Sequence, residues 1–421
     1  MNSRILHVPR RFVADEWGGT ETVIVEISRF QQQQGWRPEV FTSLALSDVN
    51  HELIGGIPVR RFNYCYPFLG LGRDEKRLLD KKGGNLLSLP LFFALLSTPD
   101  VRLFHAHALN RLGGEVRTAA RLRRKPYLVS LHGGYFDLPA TEADLMQAPV
   151  SGKLEWGKAF GALFGSRRVL DDADHVICVG ESEYHLARTR IGHDRISHLP
   201  NGVDPEKFKH GDGSLFRKKH GIPSQAFLIA NISRIDPQKN QLLLLEAFAK
   251  LRCDRPESHL LLIGPETQAE YARKLRTFIE ENRLSPSVTW LPGIANDDPD
   301  LVNAYHACDV FALSSVHEPF GIVVLEAWSS GKPVVVSRVG GLKTLVREDE
   351  TGLFIEPVAG GAAQALAAKL NLLATRPEWR GKIGAAGLHE VALHYTWEVI
   401  GKKLEQIYQS AESHNALSRG G

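Results

Sequence analysis

Short apolar runs alternate along this sequence with longer stretches in which apolar residues recur every three or four positions. The short runs are bounded by glycine, proline and small polar residues, a pattern typical of buried strands. They lie at Arg4–Val8, Glu39–Thr42, Leu103–His105, Tyr127–Leu131, His175–Val179, Phe227–Ile232, His259–Ile263, Ser287–Leu291, Val310–Leu313 and Val334–Ser337. The longer stretches, such as Leu242–Leu251 and Glu266–Asn282, predict amphipathic helices. Because strands and helices alternate, the pattern predicts an α/β fold with parallel sheets covered on both faces.

The same pattern predicts two doubly wound units with a break between them. Proline, glycine and aspartate accumulate over Pro200–Asp212, where the periodicity stops. We therefore expect an N-terminal domain over residues 1–199, a second domain over 200–393 and a C-terminal segment over 394–421. Within that segment, Trp397–Ser410 predicts an amphipathic helix.

Composition and charge are those of a globular protein and exclude several classes. Of the 421 residues, 43% are apolar and 24% are charged, and the formal net charge is +3. This balance favours neither disorder nor nucleic-acid binding. The 4 cysteines form no CxxC pair, which favours a reducing compartment. No apolar run reaches the ~20 residues of a membrane span, and the first residues lack the apolar core of a signal peptide, so we expect a cytoplasmic protein.

In the first predicted domain, candidate binding residues lie where strands end, the edge at which open α/β sheets bind ligands. Gly18 and Gly19 open a helix whose N-terminal amides could hold an anion, although a tight turn is the alternative. His132 could hydrogen-bond a hydroxyl or carry a proton, and a purely structural histidine is the alternative. His105 and His107 share one side of their strand, but as a metal pair they lack a third ligand.

In the second predicted domain, two cations occupy the corresponding edge. Arg234 follows the Phe227–Ile232 strand, and Lys239 stands at the entry to the next helix. A cation at a strand end and another beside a helix N-terminus could hold a diphosphate from two directions. The alternative is that Arg234 and Lys239 are two ordinary surface charges. Because both are expected at the same edge of the sheet, we favour a binding site.

The segment after Val310–Leu313 gives the sharpest signal. Glu318 precedes a predicted helix whose first amides suit phosphate oxygens. Glu326 lies eight residues further on, about two helical turns along the same face, where its carboxylate could accept two hydrogen bonds from a vicinal diol such as a ribose. The first amides are assigned to Phe320, Gly321 and Ile322.

Two aspartate pairs are discounted as metal sites. Asp172 and Asp174 precede their strand and so lie at the wrong edge of the sheet, whereas Asp298 is expected to cap a helix. We expect neither a metal ion nor another cofactor.

The motifs together resemble a known family. EPFGIVVLEAWSSGKPVVVSRVGG, beginning at Glu318, resembles the E-x7-E region of retaining glycosyltransferases of family GT4, which have the GT-B fold. That fold consists of two Rossmann-like domains facing a deep interdomain cleft, with a terminal helix that crosses back to the first domain. Further matches run in family order from residue 18 to about 357: GGTE, LFHAH, SLHG, PNGVD, SRIDPQKN, LLIG and ETGLFIEP.

The resemblance implies roles for particular residues. It assigns catalysis to His132, Arg234, Lys239 and Glu318. Arg234, Lys239 and Glu318 are also assigned to donor binding. The other residues that it assigns to donor binding are Gly18, Gly19, Gly264, Ile294, Phe320, Gly321, Ile322 and Glu326. His107 and Tyr135 are candidates for acceptor binding, since an aromatic ring can stack on a sugar. Two positions depart from the family pattern: Thr344 replaces a common acid and Gly180 a common serine.

The predicted function is therefore a metal-independent, retaining transfer of a sugar from a nucleoside-diphosphate-sugar donor to a hydroxyl acceptor. The acceptor class stays open between a glycan, a lipid-linked molecule and a small molecule. The alternatives are a non-catalytic nucleotide-sugar-binding protein and another GT-B enzyme such as a phosphorylase or an epimerase. A nicotinamide dehydrogenase is disfavoured because the GxGxxG fingerprint is absent.

The acceptor side carries one further expectation. The segments Arg60–Lys82 and Arg102–Lys125 are rich in basic residues, and the first leads into the apolar run Leu86–Leu96. Basic residues beside apolar ones suit peripheral contact of the N-terminal domain with the inner face of a membrane, or a lipid-linked acceptor. A solvated helix face is the alternative.

Overall fold

The computed structural model describes residues 3–14, 17–136, 144 and 146–420. The chain divides into two compact units, and each is built on one sheet. Unit 1 comprises Met1–Asn201 and Ile400–Gly421, and unit 2 comprises Gly202–Val399.

The sheet of unit 1 has eight strands in the described part of the chain. They are β1 (Arg4–Val8), β2 (Arg37–Ser43), β3 (His51–Ile54), β4 (Ile57–Phe62), β5 (Val101–Ala106), β6 (Tyr127–Leu131), β7 (His175–Cys178) and β8 (Ile196–His198). Their order is β3-β4-β2-β1-β5-β6-β7-β8, and every neighbouring pair is parallel except β3 with β4. The chain changes direction of winding between β1 and β5, which is where a doubly wound sheet opens a crevice at its carboxyl edge.

Helices connect these strands. They are α1 (Gly19–Gln33), α2 (Arg73–Lys81), α3 (Leu89–Ser97), α4 (Asn110–Arg123), α5 (Lys158–Leu163) and α6 (Glu181–Arg190). The start of α3 has a local cause: the Ser88 hydroxyl accepts the amide of Leu91 at 3.3 Å, and a proline occupies the first turn. Short 3₁₀ turns lie at Ala148–Val150 and Ser166–Arg168.

The sheet of unit 2 has six strands within the described residues, all parallel to their neighbours. They are β9 (Leu228–Ile232), β10 (His259–Ile263), β11 (Val288–Leu291), β12 (Val310–Leu313), β13 (Val334–Ser337) and β14 (Leu353–Ile355). The order β11-β10-β9-β12-β13-β14 places the change of winding between β9 and β12. Every residue of β9, β10, β12 and β13 is buried, which explains their continuous apolar runs.

The helices of unit 2 follow the same alternation. They are α7 (Pro205–Phe208), α8 (Gly213–Lys219), α9 (Gln241–Asp254), α10 (Ala269–Glu281), α11 (Pro299–Ala307), α12 (Ile322–Ser329), α13 (Leu342–Leu345), α14 (Ala362–Thr375) and α15 (Pro377–Glu390). A 3₁₀ turn lies at Ser285–Ser287. The prediction for Asp298 is confirmed, because its carboxylate accepts the amide of Asp300 at 2.9 Å and caps α11.

The terminal helix α16 (Trp397–Gly420) follows a π-helical turn at Val391–Tyr395. It continues ten residues beyond the predicted end at Ser410, and from Ile400 onward it belongs to unit 1. Its inner face is buried at Ile400, Leu404, Tyr408 and Ala411. Arg102 on β5 binds both Glu405 and Glu412 of this helix, at 2.8 and 2.7 Å.

A glycine sets how closely α16 packs on α1. A β-carbon at Gly401 would lie 2.4 Å from the ring of Phe30, whereas one at Gly381 on the surface of α15 would contact nothing within 4 Å. We expect Gly401→Ala to destabilise the fold by about 1–3 kcal/mol through overpacking. Gly381→Ala, the matched helical control, is expected to stabilise it by about 0.5–1 kcal/mol. Denaturant unfolding of both variants checks this, and a stabilised Gly401→Ala would contradict the packing described.

None of the described helices combines the length and the apolar character needed to cross a bilayer.

Candidate functional site

In unit 1, the loop after β1 leads directly into α1. Gly18 precedes the helix in an extended conformation, and α1 begins at Gly19. Glu21 in the first turn is buried, and burial raises the pKa of its carboxyl group above the usual value. The Arg11 guanidinium lies 4.0 Å from this carboxylate and opposes the rise. The predicted glycines therefore stand at a helix start, as expected.

Four histidines gather where the winding of the unit 1 sheet changes direction. His7 on β1 and His105 on β5 are direct neighbours in the parallel register, with ring centroids 5.2 Å apart. His107 lies on the same side as His105, as expected, with ring centroids at 4.2 Å. His132, just after β6, stacks on His107 at 5.1 Å. The carboxyl ends of three adjacent strands thus build one cluster.

Hydrogen bonds join three of these rings in a line. His7 Nε2 lies 2.9 Å from Gln31 Oε1, and His7 Nδ1 lies 3.0 Å from His107 Nε2. His107 Nδ1 in turn lies 2.8 Å from His132 Nε2. Burial lowers the pKa of both His7 and His132 to about 4. It lowers the pKa of His107 well below its usual value, so these rings are neutral near pH 7.

The expectation that His105 and His107 lack a third metal ligand is wrong. His7 supplies one, because ligand atoms of the three residues lie within 4.8 Å of one another. The ring nitrogens already have other partners, however. His105 contacts Tyr408 Oη at 2.8 Å and Ser130 Oγ at 2.7 Å, and both nitrogens of His7 and of His107 are in the bonds given above. His7, His105 and His107 are thus each satisfied by hydrogen bonding alone.

A cavity of about 400 Å³ opens beside this cluster, within unit 1. His132 is partly exposed in its wall, and Nε2 is already bonded to His107, so Nδ1 is the ring nitrogen left for a ligand. The exposed Tyr135 and the partly exposed His107 also line the cavity, as do Arg10 and Thr20. The two predicted acceptor residues and His132 therefore share one cavity.

In unit 2, the predicted charged residues lie in the loops that follow β9 and β12, the two strands at the change of winding. Glu318, in the loop after β12, is buried, and its carboxylate pairs with Lys239 Nζ at 2.5 Å. Arg234, after β9, is exposed, and its guanidinium has no hydrogen-bond or ion-pair partner among the residues that the structure describes. The cluster therefore offers one paired cation and one cation that is open to a ligand.

Backbone contacts hold these two loops together. Gln238 donates its side-chain amide to His317 O at 3.1 Å, and the Val316 amide binds Gln238 O at 2.9 Å. The Ser314 hydroxyl donates to Asn240 O at 2.8 Å. A β-carbon at Gly340 would lie 2.1 Å from Glu318 O, so a glycine is required there for the backbone to approach.

The helix after Glu318 starts later than predicted. Gly321 takes a left-handed conformation with φ of 97°, and α12 begins at Ile322. Phe320 and Gly321 therefore precede the helix, and the free first-turn amides begin at Ile322. Glu326 accordingly lies about one turn into α12, not two turns along it.

A partner for Glu326 was missed by sequence reasoning. The hydroxyl of the fully buried Tyr305 donates to Glu326 Oε2 at 2.6 Å. Burial raises the pKa of Glu326, and the Tyr305 bond partly opposes that rise. The partner lies on α11, so no local pattern around Glu326 could have indicated it.

The two remaining predicted positions of unit 2 follow neighbouring strands. Gly264 is buried after β10, where a β-carbon would lie 1.9 Å from Ser233 O. Ile294 is partly exposed in the loop between β11 and α11. Thr344, one of the two departures, is exposed on α13, where its hydroxyl donates to Gly341 O at 3.1 Å. Gly180, the other, precedes α6 without a side-chain cap.

Family comparisons cover both units. Residues 17–207 match the model described as Glycosyltransferase Family 4, and residues 213–389 match the model described as Glycosyl transferases group 1.

Similar curated proteins carry related names. A D-inositol 3-phosphate glycosyltransferase of Stackebrandtia nassauensis is 32% identical over 62% of this chain and 59% of that protein, so the chain matches less than two thirds of its length. A GDP-mannose-dependent monoacylated alpha-(1-6)-phosphatidylinositol monomannoside mannosyltransferase of Corynebacterium glutamicum is 30% identical over 61% of this chain and 67% of that protein.

Solved structures share the fold. Anabaena HepE, crystallised in complex with UDP, superposes with a TM-score of 0.72 at 20% identity, covering 97% of this chain and 100% of that one. The two matched models and the relative of Corynebacterium glutamicum together establish the family. The chain belongs to glycosyltransferase family 4 and has the GT-B fold.

Proposed function

We propose that the chain transfers a sugar from a nucleoside-diphosphate donor to a hydroxyl acceptor, with retention at the anomeric carbon and without a metal ion. The observation that carries this proposal is the cluster between β9 and β12. There the exposed Arg234 follows β9, and Lys239 pairs with the buried Glu318 in the loop that precedes the free amides of α12. Such a cluster supplies positive potential of the kind that a departing diphosphate needs.

The donor would be held from several sides. Arg234 and Lys239 would bind the diphosphate, and the first amides of α12 would add to their potential. Glu326 would accept hydrogen bonds from the ribose diol through the oxygen atom that Tyr305 leaves free. The loop at Ile294 would contact the base through backbone groups.

The reaction would proceed by departure of the diphosphate before attack is complete. The bond from the anomeric carbon to the phosphate oxygen breaks, and the acceptor hydroxyl oxygen bonds to the same carbon from the leaving-group face. The acceptor proton passes to the departing phosphate. Glu318 forms an ion pair with Lys239. Its carboxylate is therefore poorly placed to serve as a nucleophile. His132 would contact the donor sugar.

Relatives suggest the acceptor class. Their names refer to D-inositol 3-phosphate and to a phosphatidylinositol mannoside. We propose an inositol phosphate or an inositol lipid as acceptor, with the lipid favoured by two features of unit 1. Helix α2 carries Arg73, Lys76 and Arg77 beside the acids Asp74 and Glu75, and Leu78 and Phe93 expose 56% and 61% of their surface. These features suit peripheral contact with an anionic membrane.

A product assay tests the function. The protein is incubated with UDP-, GDP- and ADP-sugars and either inositol phosphates or vesicles containing phosphatidylinositol, with and without EDTA. We expect a glycosylated product in EDTA, with the anomeric configuration of the donor retained by NMR. Inverted configuration or loss of activity in EDTA would contradict the mechanism. Release of sugar phosphate in the presence of inorganic phosphate would indicate a phosphorylase. A change in the configuration of the donor sugar would indicate an epimerase.

The Tyr305–Glu326 bond predicts a pH effect on donor binding. Ribose binding needs the carboxylate of Glu326, so affinity is expected to rise as pH rises through its elevated pKa. Tyr305→Phe removes the bond that opposes this elevation, so the midpoint of the affinity curve should move to higher pH. Calorimetric titration of the nucleoside diphosphate between pH 5 and 8 measures it. Glu326→Gln is the control, in which this component of the pH dependence should vanish; an unchanged midpoint in Tyr305→Phe would contradict the role.

A further inference from the structure

A line of neutral imidazole rings runs from the interior of unit 1 to the wall of its cavity. Its inner end is Gln31, which is 2% exposed, and the next member, His7, is fully buried. His107 follows, and the outer end is His132 at the cavity. A neutral imidazole has one N–H and one acceptor nitrogen. In a row of hydrogen-bonded rings, the nitrogen that is protonated in one ring therefore determines which nitrogen is protonated in each of the others.

The inner end is set by the Gln31 amide, which directs its Nε2 at Tyr408 of α16 and its Oε1 at His7. The Tyr408 hydroxyl lies 2.8 Å from His105 Nδ1 and 3.0 Å from Gln31 Nε2. An amide N–H can only donate, so the hydroxyl accepts from Gln31, and its own proton is available to donate to His105. His105 then carries its proton on Nε2 and donates to Ser130 Oγ at 2.7 Å. With its N–H so engaged, Gln31 presents Oε1 to His7.

The orientation of the Gln31 amide determines the protonated nitrogen of each ring in turn. His7 must donate from Nε2 to Gln31, so its Nδ1 is an acceptor. His107 must then donate from Nε2 to that atom, which leaves its own Nδ1 as an acceptor. His132 completes the series by donating from Nε2 to His107, and its Nδ1 keeps an unprotonated lone pair.

We propose that Gln31 and Tyr408 set the tautomer of His132 through His7 and His107, so that His132 Nδ1 accepts a hydrogen bond from a hydroxyl group in the cavity. Gln31, Tyr408, His7 and His107 are positioning residues in this account, and His132 is the group that touches the ligand. The tautomer itself does not depend on the proposed function. That the hydroxyl belongs to a sugar does rest on it.

The arrangement explains how three neighbouring histidines can stand together without charge. Burial alone would favour apolar residues at these positions, since an unpaired polar group in the interior is costly. His7 and His107 have both ring nitrogens bonded and His132 has its Nε2 bonded, so the row is fully satisfied up to the cavity only when all protons point the same way. A fully satisfied row transmits the orientation of one amide to a residue at the surface of the cavity.

The direct test is ¹⁵N NMR of the histidine rings, which distinguishes the two neutral tautomers and needs no substrate. The His132 signals are identified by their loss in His132→Gln. In the unmodified protein at pH 7 we expect His132 to be protonated at Nε2 alone. Gln31→Met removes the acceptor at nearly constant volume, and it should give a mixture of both His132 tautomers. Tyr408→Phe frees the Gln31 amide to rotate and should give a mixture as well.

A control variant distinguishes an effect that is transmitted along the row from a general effect of replacing a buried histidine. His175 is another buried histidine of the same sheet, bonded through Nε2 to Ser197 at 2.9 Å and outside the row. His175→Gln should leave the His132 tautomer unchanged. The proposal is overturned if His132 carries its proton on Nδ1, if Gln31→Met and Tyr408→Phe both keep one tautomer, or if His175→Gln alters it equally. Binding of added Zn²⁺ to the three inner histidines in the unmodified protein would overturn it too.

A second readout concerns the ligand. If the hydroxyl belongs to the donor sugar, Gln31→Met should lower kcat/KM by about tenfold, the size of one hydrogen bond, while affinity for the nucleoside diphosphate alone stays unchanged. Altered tautomers with unchanged kcat/KM would assign the hydroxyl to another ligand and overturn that part only. Failure to detect any transfer would instead count against the proposed function, since the NMR result stands without it.

Discussion

Replacing Arg234 with alanine is expected to lower turnover about 100-fold while leaving the free energy of unfolding unchanged. The guanidinium is exposed, and none of the described residues pairs with it, so its removal disturbs no contact of the folded chain. Its charge would instead act on the diphosphate as negative charge develops there, and removing one such group typically costs 10²–10³-fold in kcat. Steady-state kinetics together with denaturant unfolding measure both effects.

Lys250→Ala is the matched control for Arg234. Lys250 is an exposed cation on α9, in the same unit. Its removal should change neither turnover nor stability. Equal turnover in Arg234→Ala and the unmodified protein would contradict the electrostatic role assigned to the cluster.

Replacing Lys239 with methionine is expected to lower both turnover and stability. Lys239 neutralises the buried Glu318 at 2.5 Å, so methionine leaves a carboxylate in the interior without its counter-ion. Breaking a buried pair from one side typically costs about 3 kcal/mol or more. Denaturant unfolding checks the loss, and product formation checks turnover.

A second substitution distinguishes the two roles of Lys239. In Lys239→Met combined with Glu318→Gln, no charge is left unpaired, so most of the lost stability should return. Turnover should stay low, because the cation near the diphosphate is still missing. Recovery of turnover along with stability would show that Lys239 serves the fold alone.

The architecture could be predicted because its strands are buried on both faces. Continuous apolar runs such as Leu228–Ile232 and Val334–Ser337 need no partner to be recognised. The strands that were missed are exposed, alternating or very short. β3 is mostly exposed, β4 alternates buried with partly exposed residues, and β8 and β14 have only three residues each. Runs that short carry too little pattern to separate from loops.

The charged residues of unit 2 could be located for a related reason. Arg234, Lys239 and Glu318 each lie within a few residues of a recognisable strand end, and the carboxyl ends of parallel strands meet at one edge. Their placement at one edge of the sheet therefore follows from topology. The late start of α12 could not be foreseen, because it depends on the left-handed backbone at Gly321.

The buried partners in both units lay beyond sequence reasoning. Tyr408 reaches Gln31 across 377 residues and His105 across 303 residues. Tyr305 and Glu326 belong to different helices. One available signal was His7, a histidine within the buried run of β1, which marks a polar group that must find a partner. Naming that partner requires the folded chain.

The central claim is that unit 2 binds a nucleoside diphosphate at the cluster between β9 and β12. Thermal unfolding with UDP, GDP and ADP, on the unmodified protein and on Glu326→Ala, tests it most directly. A ligand at about 100 times its dissociation constant stabilises the fold by about 2.7 kcal/mol. We predict such stabilisation by at least one of the three in the unmodified protein, and a smaller effect of the same ligand in Glu326→Ala. No stabilisation by any of them, or equal stabilisation of both proteins, would contradict the site.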